Sequence, residues 1–146
     1  PQDADERVEN AAAVIDMVRT TGVAWEDIFV DPIVFPISVD SQNGNHYFEA
    51  VRRIRATYDK WLHIGMGLSN VSFGMPKRRL INLAFIHLAL DAGIDAGIID
   101  PVQTSLAAVF ELDTASEPYR LASDMLLGRD DFSMNYIQAF RDGVLG

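Results

Sequence analysis

Three short apolar runs constrain this chain more than any other feature. Ile28-Phe29-Val30 stops at Asp31-Pro32, Leu62 to Leu68 stops at Ser69-Asn70, and Ile94 to Ile99 stops at Asp100-Pro101. The segments before and between them carry helical spacing. Asp5 to Thr20 repeats apolar residues at Val8, Ala11, Ala12, Ile15 and Val18, with Gly22 as its stop. His46 to Lys60 places Phe48, Val51, Ile54 and Tyr58 on one face. Pro76 opens a third helix at a favoured first-turn position, running to about Asp91 with Gly93 just beyond. Three further helices follow: Val102 to about Leu112, Pro118 to Leu127 before Gly128, and Phe132 to Arg141 before Gly143. Short apolar strands alternating with helices form parallel βαβ units joined by right-handed crossovers. Strands covered by helices carry few charges, as these do. The expected fold class is therefore α/β.

Each strand ends in polar residues at its carboxyl end, at Asp31, Ser69-Asn70 and Asp100. Ligand sites of parallel α/β folds lie at those ends, in barrels and open sheets alike. Three strands are too few for a barrel, which closes with eight, and for a doubly wound sheet. The expectation is that the chain is part of a longer one or associates to complete a sheet. It begins at Pro1 rather than Met, in keeping with that expectation.

Composition removes several function classes. With 12 basic and 21 acidic residues the 146-residue chain carries a net charge of −9. That balance fits neither nucleic acid nor an anionic membrane, both of which need a basic footprint. There are no cysteines, so disulfides, thiolate zinc, iron–sulfur ligation and a cysteine nucleophile are excluded for these residues. The most apolar run, Leu80 to Leu90, is broken by Asn82 and His87 and is too short to span a bilayer. The amino end, with Asp3, Asp5, Glu6 and Glu9 against Arg7, is the reverse of a signal peptide. A cytoplasmic location is expected.

The segment Gly65-Met66-Gly67-Leu68-Ser69-Asn70-Val71-Ser72-Phe73-Gly74 leaves the second strand with three glycines and presents Ser69, Asn70 and Ser72 at its end. Glycines permit close approach of backbone to ligand. An Asn amide can donate to or accept from a heterocycle nitrogen. Read alone, the segment fits a ligand loop and a turn in which Asn70 bonds its own backbone equally well. It is neither a P-loop nor a dinucleotide fingerprint.

This string, together with Asp27-Ile28-Phe29-Val30-Asp31-Pro32-Ile33-Val34-Phe35-Pro36, Arg78-Arg79-Leu80-Ile81-Asn82 and Gly93-Ile94-Asp95-Ala96-Gly97-Ile98-Ile99-Asp100-Pro101, resembles the methyltetrahydrofolate-dependent corrinoid methyltransferases. It is also similar to the pterin-binding domain of cobalamin-dependent methionine synthase. The tail, Leu126-Leu127-Gly128-Arg129-Asp130 and Tyr136, looks more like the free-standing methyltransferases. The resemblance implies a (β/α)8 TIM barrel, of which residues 1–146 would supply the C-terminal three β/α units. It implies a methyltransferase of one-carbon metabolism. The N5 methyl group would move between 5-methyltetrahydrofolate and a corrinoid (cobalamin) carried by a partner protein. Activity is expected only in the complete barrel, and a homodimer is expected.

The resemblance also implies roles residue by residue. Asp31 would accept the pterin's 2-amino group and adjacent ring N–H in a bidentate fork; the competing reading is a turn cap before Pro32. Asn70 would be catalytic, stabilising charge that develops on N5. Gly67 and Ser69 would line the pterin site beside it. Arg78 would meet the glutamate tail of the folate, whereas Lys77 and Arg79 read as solvated charges. Phe73 stands where some relatives have a polar residue. Asp100 reads first as a cap. His63 and His87 sit at neither metal nor relay spacing and read as packing. The cobalt-ligating Asp-x-His-x-x-Gly string of corrinoid carriers and the Cys set for zinc-activated homocysteine are absent, so the corrinoid would come on the partner and no metal would bind here.

Two alternatives stay in view. Dihydropteroate synthase shares an Asp-Pro after a strand, but then has a Gly-rich run with a Lys, where this chain has Ile33-Val34-Phe35-Pro36. A non-catalytic fragment or assembly module is the rival from another class.

Overall fold

The computed structural model describes all 146 residues. Helix α1 (Ala4–Thr20) starts where the Asp3 carboxylate accepts the Glu6 N–H at 2.9 Å, and it ends before Gly22, whose positive φ reverses the chain. A 3-10 turn at Trp25–Asp27 leads into strand β1 (Phe29–Val30). Helix α2 (Asn43–Thr57) crosses back to strand β2 (His63–Ile64), which pairs parallel with β1 in the register Phe29 to His63 and Val30 to Ile64. Helix α3 (Arg78–Ala92) follows, closed by Gly93 at φ +116°. Helices α4 (Leu106–Phe110), α5 (Glu117–Leu126) and α6 (Met134–Arg141) complete the chain. The result is a mixed α/β chain, mostly helical.

The expected third strand is reduced to a single parallel bridge between Gly67 and Ile98. Its course beside β2 is clear from Ile98 N–H to Met66 O at 2.8 Å and Leu68 N–H to Ile98 O at 3.3 Å. Asp95 is the reason it is not regular. Its carboxylate takes the Ile64 N–H at 2.9 Å, and the Asp95 and Ala96 amides share the Ile64 carbonyl. The backbone therefore bulges where a ladder would run.

Several helix boundaries also differ from expectation: α2 starts at Asn43 rather than His46, and α6 starts at Met134 rather than Phe132 because Phe132 and Ser133 both have left-handed φ. Lys77 adopts a left-handed φ of +52°, so α3 begins at Arg78 and Pro76 lies outside it. Thr57 ends α2 short of Lys60. The segment after Asp100 first forms a turn, its carboxylate accepting the Val102 N–H and its carbonyl the Thr104 N–H. Helix α4 starts only after the Ser105 cap.

One apolar cluster holds these elements together, with Tyr47 and Phe48 of α2 each 5.3 Å from the Phe85 ring of α3. The helices cover one face of the short sheet, where Ile64 is fully buried. On the other face Phe29 is 65% exposed and Ile98 83% exposed. No helix is long and apolar enough to cross a membrane.

Candidate functional site

Successive strand residues alternate between faces, so Asp31 follows Phe29 onto the uncovered face, just past the carboxyl end of β1. Its side chain is exposed. One oxygen, Oδ1, accepts the Ile33 N–H at 2.8 Å; the other, Oδ2, accepts the Gly67 N–H at 3.1 Å. The first bond is the turn cap that sequence reasoning weighed against a ligand role. The second links the carboxyl end of β1 to the loop leaving β2. Each oxygen keeps a further acceptor lone pair. A cavity of about 480 Å³ opens over this face, lined by Phe29, Asp31, Gly65, Met66, Ala96 and Ile98.

The loop after β2 forms a 3-10 turn at Leu68–Asn70. Asn70 Nδ2 donates to Val34 O at 3.0 Å, which ties this loop to the Asp31 loop and leaves a second amide hydrogen and the amide oxygen free of protein partners. Ser69 is exposed, and its carbonyl accepts from Arg78 Nη2 at 2.8 Å. Arg78 Nε donates to the buried Ser72 hydroxyl at 3.0 Å. In this structure Arg78 thus braces the loop from the first turn of α3. Ser69, Arg78, Asn82, Asp100 and Gln103 line a neighbouring cavity of about 400 Å³. Asp31 and Gly67 are in contact, Ser69 and Arg78 are in contact, and Asn70 sits on the loop between the two groups.

Tyr47 supports the site from below. Its hydroxyl donates to Gly65 O at 2.7 Å, and burial, then the nearby Asp31 charge, pushes its pKa well above the usual tyrosine value. Sequence reading passed over Tyr47, and it passed over Arg7, which lies on the buried stripe of α1 with Ala11 and Ile15. A charged residue in step with an apolar stripe was the available signal. The histidines are engaged away from the strand ends that carry the site. His63 Nδ1 lies 3.0 Å from Asp95 Oδ2, and His87 Nδ1 lies 2.8 Å from the Tyr119 hydroxyl.

Comparison with known proteins gives a consistent result. The family model for pterin binding enzymes matches residues 2–100. The chain is 30% identical over its whole length to a methylcorrinoid:tetrahydrofolate methyltransferase of Eubacterium limosum, of which it covers 50%. It is 30% identical over 103 residues to the methionine synthase of Mycobacterium tuberculosis, covering 66% of this chain and 9% of that protein. A methionine synthase of Mycobacterium leprae is 28% identical over 102 residues. The chain spans about half the length of the first of these relatives and far less of the other two.

Proposed function

The chain belongs to the pterin binding enzyme family, and from that premise we propose that it carries the carboxyl-terminal part of a barrel that moves the N5 methyl group between 5-methyltetrahydrofolate and a corrinoid. Similarity along the whole chain to a methylcorrinoid:tetrahydrofolate methyltransferase supports the reaction class. The single observation that carries the site is the bond from the Gly67 amide to Asp31, which couples two adjacent strand ends.

In this reading the pterin enters over the uncovered sheet face. The free lone pairs of Asp31 accept its 2-amino group and adjacent ring N–H, and the bonds from Ile33 and Gly67 hold the carboxylate oriented for that fork. The remaining amide hydrogen of Asn70 points its dipole at N5, and the bond to Val34 fixes the amide so that little reorganisation is needed as charge develops. Gly67 and Ser69 form the backbone wall. Arg78 holds that wall, and its Nη1, which makes no bond within the chain, is the group for a folate-tail carboxylate. The corrinoid, held by a separate partner protein, supplies the cobalt centre that exchanges the methyl group. The remaining β/α units, a homodimeric assembly and a cytoplasmic setting belong to the same proposal.

Asp31→Asn tests the reading. It turns one acceptor into a donor facing the pterin's donors, so binding of methyltetrahydrofolate should weaken by about 2–3 kcal/mol. Calorimetry on the protein from its complete reading frame makes the comparison. Unchanged affinity would reassign Asp31 to capping alone.

A further inference from the structure

Arg7 is 1% exposed, yet its Nη1 and Nη2 have no hydrogen-bond partner. Only Nε is engaged, donating to Pro32 O and Ile33 O at 3.1 Å each. The guanidinium also lies 5.5 Å from the Phe35 ring centroid. No other donor reaches those two carbonyls. They belong to the turn that follows Asp31, and Ile33 there has a φ of +57°. A β-branched residue in the left-handed region is strained and persists only where its surroundings hold it. Ile33 is held at both ends: its N–H by Asp31 Oδ1, its carbonyl by Arg7.

A buried guanidinium with two unpaired amino groups is a poor way to fill space. Apolar side chains of similar volume often replace buried charges without loss of stability. What the guanidinium supplies that an apolar side chain would not is the Nε–H shared by the Pro32 and Ile33 carbonyls. We propose that Arg7 is a positioning residue for Asp31: by clamping the Pro32 and Ile33 carbonyls it keeps Ile33 left-handed and so aims the Asp31 carboxylate. The inference rests on the reading of Asp31 as the pterin ligand.

Without Arg7, Ile33 relaxes toward negative φ and its N–H turns away from Asp31 Oδ1. The carboxylate then loses one of its two anchors and samples orientations that miss the fork. Arg7→Met should therefore fold with a thermal midpoint close to wild type. Its affinity for methyltetrahydrofolate should fall by about tenfold or more, as for other displaced binding groups. KM should rise with kcat little changed, because the lost contact serves ground state and transition state alike.

The decisive variant is Arg7→Met combined with Ile33→Gly. Glycine holds positive φ without strain, so the double variant should recover most of the affinity. A purely structural Arg7 would give no such rescue. The measurements are calorimetric binding of methyltetrahydrofolate and thermal unfolding on the protein from its complete reading frame, with Asp31→Asn alongside. Weak binding by Asp31→Asn and Arg7→Met, with rescue by the second substitution, supports the proposal. Weak binding by Asp31→Asn with normal binding by Arg7→Met overturns it while leaving the pterin reading intact. Normal binding by Asp31→Asn removes the pterin reading and this inference with it. If Arg7→Met fails to fold, Arg7→Leu, which also removes the clamp, takes its place with the same rescue. Absence of rescue in either background contradicts the proposal.

Discussion

Asp31 and Tyr47 illustrate how single side chains tie this site to its scaffold. Asp31 both closes its own turn and reaches Gly67, so one carboxylate caps the turn and ties two strand ends together, and in the proposed function its free lone pairs also take the pterin. Tyr47 carries the Gly65 carbonyl, two residues before Gly67, and its phenol stays protonated because burial penalises the anion. The folded pKa lies above that of the unfolded chain, so the stabilisation is complete below about pH 10. It declines above that value, by about 1.4 kcal/mol per pH unit for one such group. Tyr47→Phe should be less stable at neutral pH, having lost a hydrogen bond, and should show a shallower decline in alkaline denaturation. An unchanged alkaline slope in urea titrations would contradict this. The types of Asp31 and Asn70, and their place at strand ends, were legible in the sequence. The Asp31 turn cap was legible as an alternative, but the bonds from Gly67 to Asp31 and from Asn70 to Val34 were not, because they run between residues 36 positions apart, and no local pattern announces the left-handed Ile33.

At the scale of elements, the helices follow their hydrophobic period closely, and glycines 22, 93, 128 and 143 all have positive φ just beyond helix ends. The third strand is shorter than its apolar run because the Asp95 carboxylate accepts the Ile64 N–H that a ladder would have used. The helix after Asp100 starts late because the Asp100 carboxylate and carbonyl close a turn that ends at Thr104, ahead of the Ser105 cap. Close packing of helix ends was also invisible. Gly44, in the first turn of α2, lies against the last turn of α5, and a Cβ there would stand 2.3 Å from Leu126 O. Gly44→Ala must push α2 and α5 apart, a backbone shift that costs about 1–3 kcal/mol. Thermal or urea unfolding measures it, and a loss below about 0.5 kcal/mol would show that the two helix ends yield freely.

The whole molecule presents a sheet covered on one side. Its uncovered face carries Phe29 and Ile98 beside Asp31, and parallel sheets of this kind are normally buried on both faces. The α/β class was readable from the alternation of apolar runs and helical periods. The small size of the sheet was readable from the number of runs, whereas the extent of the third strand depended on contacts that only the fold brings about. Family membership places the chain among pterin binding enzymes, and in the proposed function Asn70 acts on the methyl-bearing nitrogen. The direct measurement is single-turnover methyl transfer from methyltetrahydrofolate to cob(I)alamin, wild type against Asn70→Ala, in the protein from its complete reading frame. The expected result is a rate lower by about 10²-fold with pterin affinity little changed; a rate within a few-fold of wild type would remove that role from Asn70.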